Sequence, residues 1–210
     1  MRSFFQGIVC ILAIAGFFIF SSAYAESTDD LLDKGFSLYD EGRFNESLDV
    51  FNQVIERDPT FSDAWYGRGY LLYEFGEYEE SLKSQEKAIE LNPDIADYWL
   101  EKGLALLALD RNVEALAAFS NAQNIDPKFS DAWAGMGEAM VQMGKCKESL
   151  EAFKQALKLD PNNLNALFNQ ARAYDCLGED DNAIDSIFTL LEIDPDNEDA
   201  LEYLDYYEGY

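Results

Sequence analysis

From residue 28 onward, apolar positions recur at helical spacing, separated by acidic and polar stretches. Leu31, Gly35 and Leu38 fall at i, i+4 and i+7, one face of an α-helix, with Asp33, Lys34 and Ser37 between them. The same triplet returns as Trp65, Gly69 and Leu72, as Trp99, Gly103 and Leu106, as Trp133, Gly137 and Met140, and as Leu167, Ala171 and Tyr174. Each triplet is followed by a second amphipathic stretch, with inner positions Ser47, Phe51 and Val54 in the first copy and Ala115, Phe119 and Ala122 in the third. The pattern predicts pairs of helices and no strands.

The punctuation keeps the same phase. The chain has 5 prolines, Pro59, Pro93, Pro127, Pro161 and Pro195, each 34 residues from the next. A fixed period of this length signals a repeat architecture in which each unit covers its neighbour's apolar face. Asp or Asn stands before every proline, and a residue in that place is pushed out of the α region, so the second helix of each pair stops there. Gly42, Gly76, Gly144 and Gly178 fall between the two helices of a pair, where a positive φ ends the first helix; Asp110 takes that place once. A residue without a bulky side chain at Gly35, Gly69, Gly103, Gly137 and Ala171 lets the second helix approach at Ser47, Ser81, Ala115, Ser149 and Ala183, which are also small.

The period and the residues in phase with it resemble the tetratricopeptide-repeat family. The resemblance covers five full repeats, 28–61, 62–95, 96–129, 130–163 and 164–197, with 198–210 as the start of a further helix that caps the array. It implies an all-α, right-handed solenoid of antiparallel helix pairs. Departures are local: Gln85 and Arg57 replace apolar residues in two second helices, and the fifth repeat lacks the Trp and the Gly.

In this family the first helices line a concave groove, and the resemblance assigns to it a stripe distinct from the core stripe. In repeats 1 to 3 that stripe is Leu32, Phe36 and Tyr39, then Tyr66, Tyr70 and Tyr73, then Leu100, Leu104 and Leu107. In the last two repeats charged groups enter it, with Ala134, Glu138 and Val141, then Phe168, Arg172 and Asp175. The tyrosines suit a half-wet groove, since a ring buries area while its hydroxyl stays solvated; the leucines could instead pack against neighbouring helices. Some members hold the carboxylate tail of a partner in a clamp of Lys, Arg and Asn. Here only Arg172, Asn165 and Asn169 offer such groups, so the expected ligand is a protein or peptide that is apolar or basic rather than anionic.

Charge sharpens that expectation. The sequence has 41 acidic and 15 basic residues, no His and a formal charge of −26. Such a surface repels nucleic acid and anionic lipid headgroups. The lack of His removes the commonest general base and transition-metal ligand. No nucleotide loop, nucleophile elbow or metal-spaced cysteine set is present, and Asp194–Asp199 lacks the glycine and the final glutamate of a calcium loop. No cofactor and no enzymatic activity are expected. Lys145, Lys147, Lys154 and Lys158 form a basic cluster on one second helix, read as a solvated face.

The first 25 residues stand apart. Arg2 precedes an apolar run from Phe4 to Phe20, and Ala23-Tyr24-Ala25 matches a small-residue cleavage site. This is the layout of a secretory signal peptide; uncleaved, it would be a membrane anchor. Either way the remainder is exported: secreted, periplasmic or on the outer face of the membrane. Membrane contact is expected only through an uncleaved leader. Of the later cysteines, Cys146 opens one second helix and Cys176 ends the next first helix, on a side leaning to the groove, so two free thiols are expected. The function expected is a protein-interaction scaffold; the alternatives are self-association of the array and a non-catalytic subunit of a membrane-associated secretion or enzyme complex.

Overall fold

The computed structural model describes residues 26–208, and the leader lies outside them. The described residues form helices and no strands. In chain order these are α1 (Thr28–Asp40), α2 (Phe44–Arg57), α3 (Ser62–Glu74), α4 (Tyr78–Leu91), α5 (Ala96–Ala108), α6 (Asn112–Ile125), α7 (Ser130–Gln142), α8 (Cys146–Leu159), α9 (Leu164–Leu177), α10 (Asp180–Ile193) and α11 (Glu198–Glu208). The chain divides into two compact units, the first ending at Pro59 and the second beginning at Thr60.

The turn chemistry is carried by the backbone. Gly42, Gly76, Gly144 and Gly178 have φ of 73°, 77°, 72° and 72°, and Asp110 is the one non-glycine residue at positive φ among the described residues, at 57°. After α5 the N–H of Arg111 donates to the carbonyl of Leu106 at 2.9 Å and that of Asp110 to Leu107 at 3.0 Å. That pair of bonds satisfies carbonyls that the helix end would otherwise leave open. The residues before the prolines, Asp58, Asn92, Asp126 and Asp160, close α2, α4, α6 and α8 in extended conformation.

The first unit is the hairpin α1–α2. Ser27 caps α1: its Oγ accepts from the N–H of Asp30 at 3.0 Å, and the Asp30 carboxylate accepts from the N–H of Ser27 at 3.1 Å. Ser47 on α2 donates to the carbonyl of Gly35 at 2.6 Å, so the small residue gives the close approach the spacing requires. A second contact shares that glycine. A Cβ on Gly35 would lie 2.6 Å from the ring of Phe51, which is 1 % exposed.

The second unit repeats this arrangement from α3 to α10, each helix packing on the next, with first helices α3, α5, α7 and α9 also touching one another in sequence. Gly103 faces the Phe119 ring and Gly137 the Phe153 ring, where a Cβ would come within 2.5 Å in the latter case. Phe119, Phe153 and Ile187 are fully buried. Gln85 takes the corresponding place between α3 and α4. It is fully buried, its Nε2 donates to the carbonyl of Tyr66 at 3.3 Å, and its Oε1 has no partner among the described residues. Trp65, Trp99 and Trp133 are half-buried rather than buried, because an indole is wide enough to reach the surface; the Trp99 N–H donates there to the carbonyl of Pro93 at 2.8 Å. At the far end α11 packs on α10, with Ala200 buried beside Leu167, Ile187 and Leu190.

The expectation of free thiols is wrong. Cys146 and Cys176 form a disulfide, with Cα atoms 6.1 Å apart. α9 packs against α8 as well as α7. Its last turn therefore ends beside the turn that opens α8, and the two sulfur atoms meet there although one helix belongs to each face.

Candidate binding groove

In the first unit, Leu32, Phe36 and Tyr39 are half-buried on α1. Phe36 meets Phe51 edge-on at 5.0 Å, and Tyr39 packs against Phe44 at 5.4 Å, so both rings are partly used within the hairpin.

In the second unit, the face of α3, α5, α7 and α9 encloses a cavity of about 390 Å³. Tyr70 and Tyr73 from α3 and Leu100 and Leu104 from α5 line it, with Ala134 and Gly135 from α7. Tyr66 lies off the cavity and stacks on Tyr98 at 5.2 Å. Tyr98 is 2 % exposed, and its hydroxyl bonds with Ser62 at 3.2 Å and with Asp63, which fixes α5 against the start of α3. The leucine set divides. Leu100 and Leu107 are buried among Leu106, Ala115 and Phe119, at 8 % and 5 % exposure, and Leu104 remains partly open. The apolar face of repeat 3 is thus narrower than the stripe implies. Phe168 lies on α9 against Tyr203 of α11 at 6.1 Å.

The same cavity carries acids that the apolar stripe did not bring forward: Glu74, Glu101, Asp131 and Glu138. Glu101 is 7 % exposed, and no hydrogen bond or ion pair to its carboxylate is present among the described residues. Burial pushes its carboxyl up to about 8, with the like charges of Asp97, Glu74 and Asp131 adding to the effect. Burial also raises Glu138, against the opposing pull of Arg172 and Gln142. Arg172 stands 4.0 Å from Glu138 and donates to Asn169 at 2.8 Å, so the groove's one basic stripe residue partly offsets one of its acids. Asp131 accepts from the amide of Asn163 at 2.7 Å. Tyr73 is pushed up to about 12, chiefly by burial, and stays protonated at neutral pH. In successive first helices the place of Glu101 is held by Asp33, Gly67, Glu101, Gly135 and Asn169, so the sequence offers two acids there; burial separates them, since Asp33 is exposed.

Comparison with known families agrees with the geometry. A tetratricopeptide-repeat model matches residues 32–94 and 81–128, a TPR-repeat model 137–178, and a further tetratricopeptide-repeat model 166–201. The chain belongs to the tetratricopeptide-repeat family. No curated protein matches its sequence. Solved structures share its fold. A thermophilic TPR protein of Thermus thermophilus superposes with a TM-score of 0.74 at 20 % identity, over 84 % of this chain and 96 % of that one. YrrB, described as a TPR protein with an unusual peptide-binding site, gives 0.64 at 21 % identity over 88 % and 95 %. MamA from Desulfovibrio magneticus gives 0.68 at 17 % identity over 83 % and 99 %. At these identities the likeness is one of fold.

Proposed function

We propose that this tetratricopeptide-repeat protein is a non-catalytic scaffold, and that the face of α3, α5, α7 and α9 holds an extended segment of a partner protein. The observation that carries the reading is the cavity walled by Tyr70, Tyr73 and Leu104, an opening on the face shared by four successive first helices. A preformed groove offers apolar contacts at low ordering cost, and its acids favour a basic or neutral segment over an anionic one. YrrB, a chain of the same fold with a peptide-binding site of its own, supports such a role. An extracytoplasmic setting is supported by the leader sequence and by the Cys146–Cys176 bond, since disulfides persist mainly in oxidising compartments.

The test is titration of a co-purified partner with wild type and with Tyr70→Ala. Truncating an aromatic anchor costs about 2 kcal/mol or more, so affinity falls more than about tenfold while the melting temperature moves little. Unchanged affinity, with Lys147 and Lys154 on the exposed face of α8 proving essential instead, moves the site to the opposite face.

A further inference from the structure

Most acids of this chain sit at the surface, where water stabilises their charge. Glu101 does not. It points into the groove cavity from the middle of α5, more than nine-tenths buried, with no hydrogen bond or ion pair of its own among the described residues. A buried carboxylate without a partner is costly, and a proton, a hydrogen-bond donor or a cation relieves it; the acids that ring Glu101 favour the cation. The surroundings select the cation's kind. No group of three potential metal ligands among the described residues is arranged to hold an ion. The walls are instead the rings of Tyr70 and Tyr73 and the side chain of Leu104, which suit an aliphatic stem behind a charged head.

We propose that this cavity receives the lysine or arginine side chain of the bound partner segment, with Glu101 as its counter-ion and Tyr70, Tyr73 and Leu104 around its stem. The proposal rests on the groove being the binding site. Charge complementarity carries the choice of occupant. Glu101 faces Glu74 from α3, Asp131 and Glu138 from α7 and Asp97 on its own helix, while Arg172 from α9 is engaged with Glu138 and Asn169. Burial keeps Glu101 largely protonated in the empty groove at neutral pH. A cation beside it favours the ionised form, so a proton leaves as the side chain enters.

The test uses the full 210-residue chain. Random peptides displayed on phage are selected on it and, in parallel, on Glu101→Gln and Glu138→Gln, each first checked for wild-type circular dichroism. Enriched peptides are then synthesised with blocked ends, and with norleucine or citrulline in place of each basic residue. Calorimetry follows near pH 7 in two buffers of different ionisation enthalpy. The expected result is a lysine or arginine at one fixed place. Its neutral replacement weakens binding more than about tenfold, Glu101→Gln removes that difference, and a proton is released on binding. Equal affinity for the norleucine peptide, bound in the groove, overturns this inference and leaves the scaffold reading standing. Enrichment of acidic peptides, or no peptide binding that Tyr70→Ala weakens, overturns both. Argininamide binding as tightly as the peptides would make the cavity a small-cation site. A dimer of the chain that Glu101→Gln dissolves would give it to a second copy. Either outcome overturns the assignment to a partner segment.

Discussion

Individual side chains here set both the tolerance of the fold and its response to pH. The Glu101 carboxyl ordinarily titrates near 4.5 and is raised to about 8 in the folded chain. Between those values the folded state binds more protons than the unfolded one, so this contribution to stability is complete below about pH 4.5 and is lost as pH rises through 8. Glu138, raised by the same cause, acts in the same direction. Denaturant titrations should therefore show Glu101→Gln flattening the decline between pH 5 and 9. The variant should be the more stable at the alkaline end, by about 1.4 kcal/mol at most for each pH unit of displacement. An unchanged slope would mean that the carboxyl is solvated. Packing makes a second residue-scale prediction. Leu at Gly103 must displace the Phe119 ring and costs roughly 1–3 kcal/mol or more. Gly at Asp110, where φ is 57°, relieves a conformation that L-residues resist and is neutral to stabilising by up to about 1 kcal/mol. Thermal melts of the two variants should move in opposite directions or differ widely. Gln85 offers a third: its Oε1 is buried without a partner, so Gln85→Leu should raise stability by about 1 kcal/mol.

At the scale of elements, the disulfide ties the start of α8 to the end of α9. It closes a segment with a sequence separation of 30 residues, for which a chain-entropy estimate gives roughly 3–4 kcal/mol. Cys146→Ser and Cys176→Ser should each lower stability by about 2–4 kcal/mol, and reducing agent should lower the wild type to match them. Thiol counting on the unfolded, unreduced full chain should find Cys10 alone, out of 3 cysteines. Detection of all three would show the pair open. The helix pairs themselves were legible without coordinates. Five prolines in register, a glycine or Asp110 at each hairpin turn, and a small residue in each first helix opposite a small one in the second leave few alternatives, because these are local requirements of φ and of space. The disulfide was not legible for the opposite reason. Whether two helix ends meet depends on which neighbours α9 packs against, and residue spacing does not record that.

For the molecule as a whole, the sequence determined the class of fold, the repeat length, the acidic charge and the absence of histidine. The helical period put Tyr70 and Tyr73 on one face of their helix, and the family resemblance aligned Leu104 of the next repeat with them. Only the tertiary structure decided which of those faces stay open. Leu100 and Leu107 share the stripe of Leu104 yet are buried, since the helices beside α5 cover one edge of it and not the other. It likewise decided the environment of Glu101, which as a letter in the sequence is one acid among 41 acidic residues. Burial is a property of how neighbouring helices enclose a position, and a carboxyl acquires its unusual proton affinity from that enclosure and not from its place in the repeat.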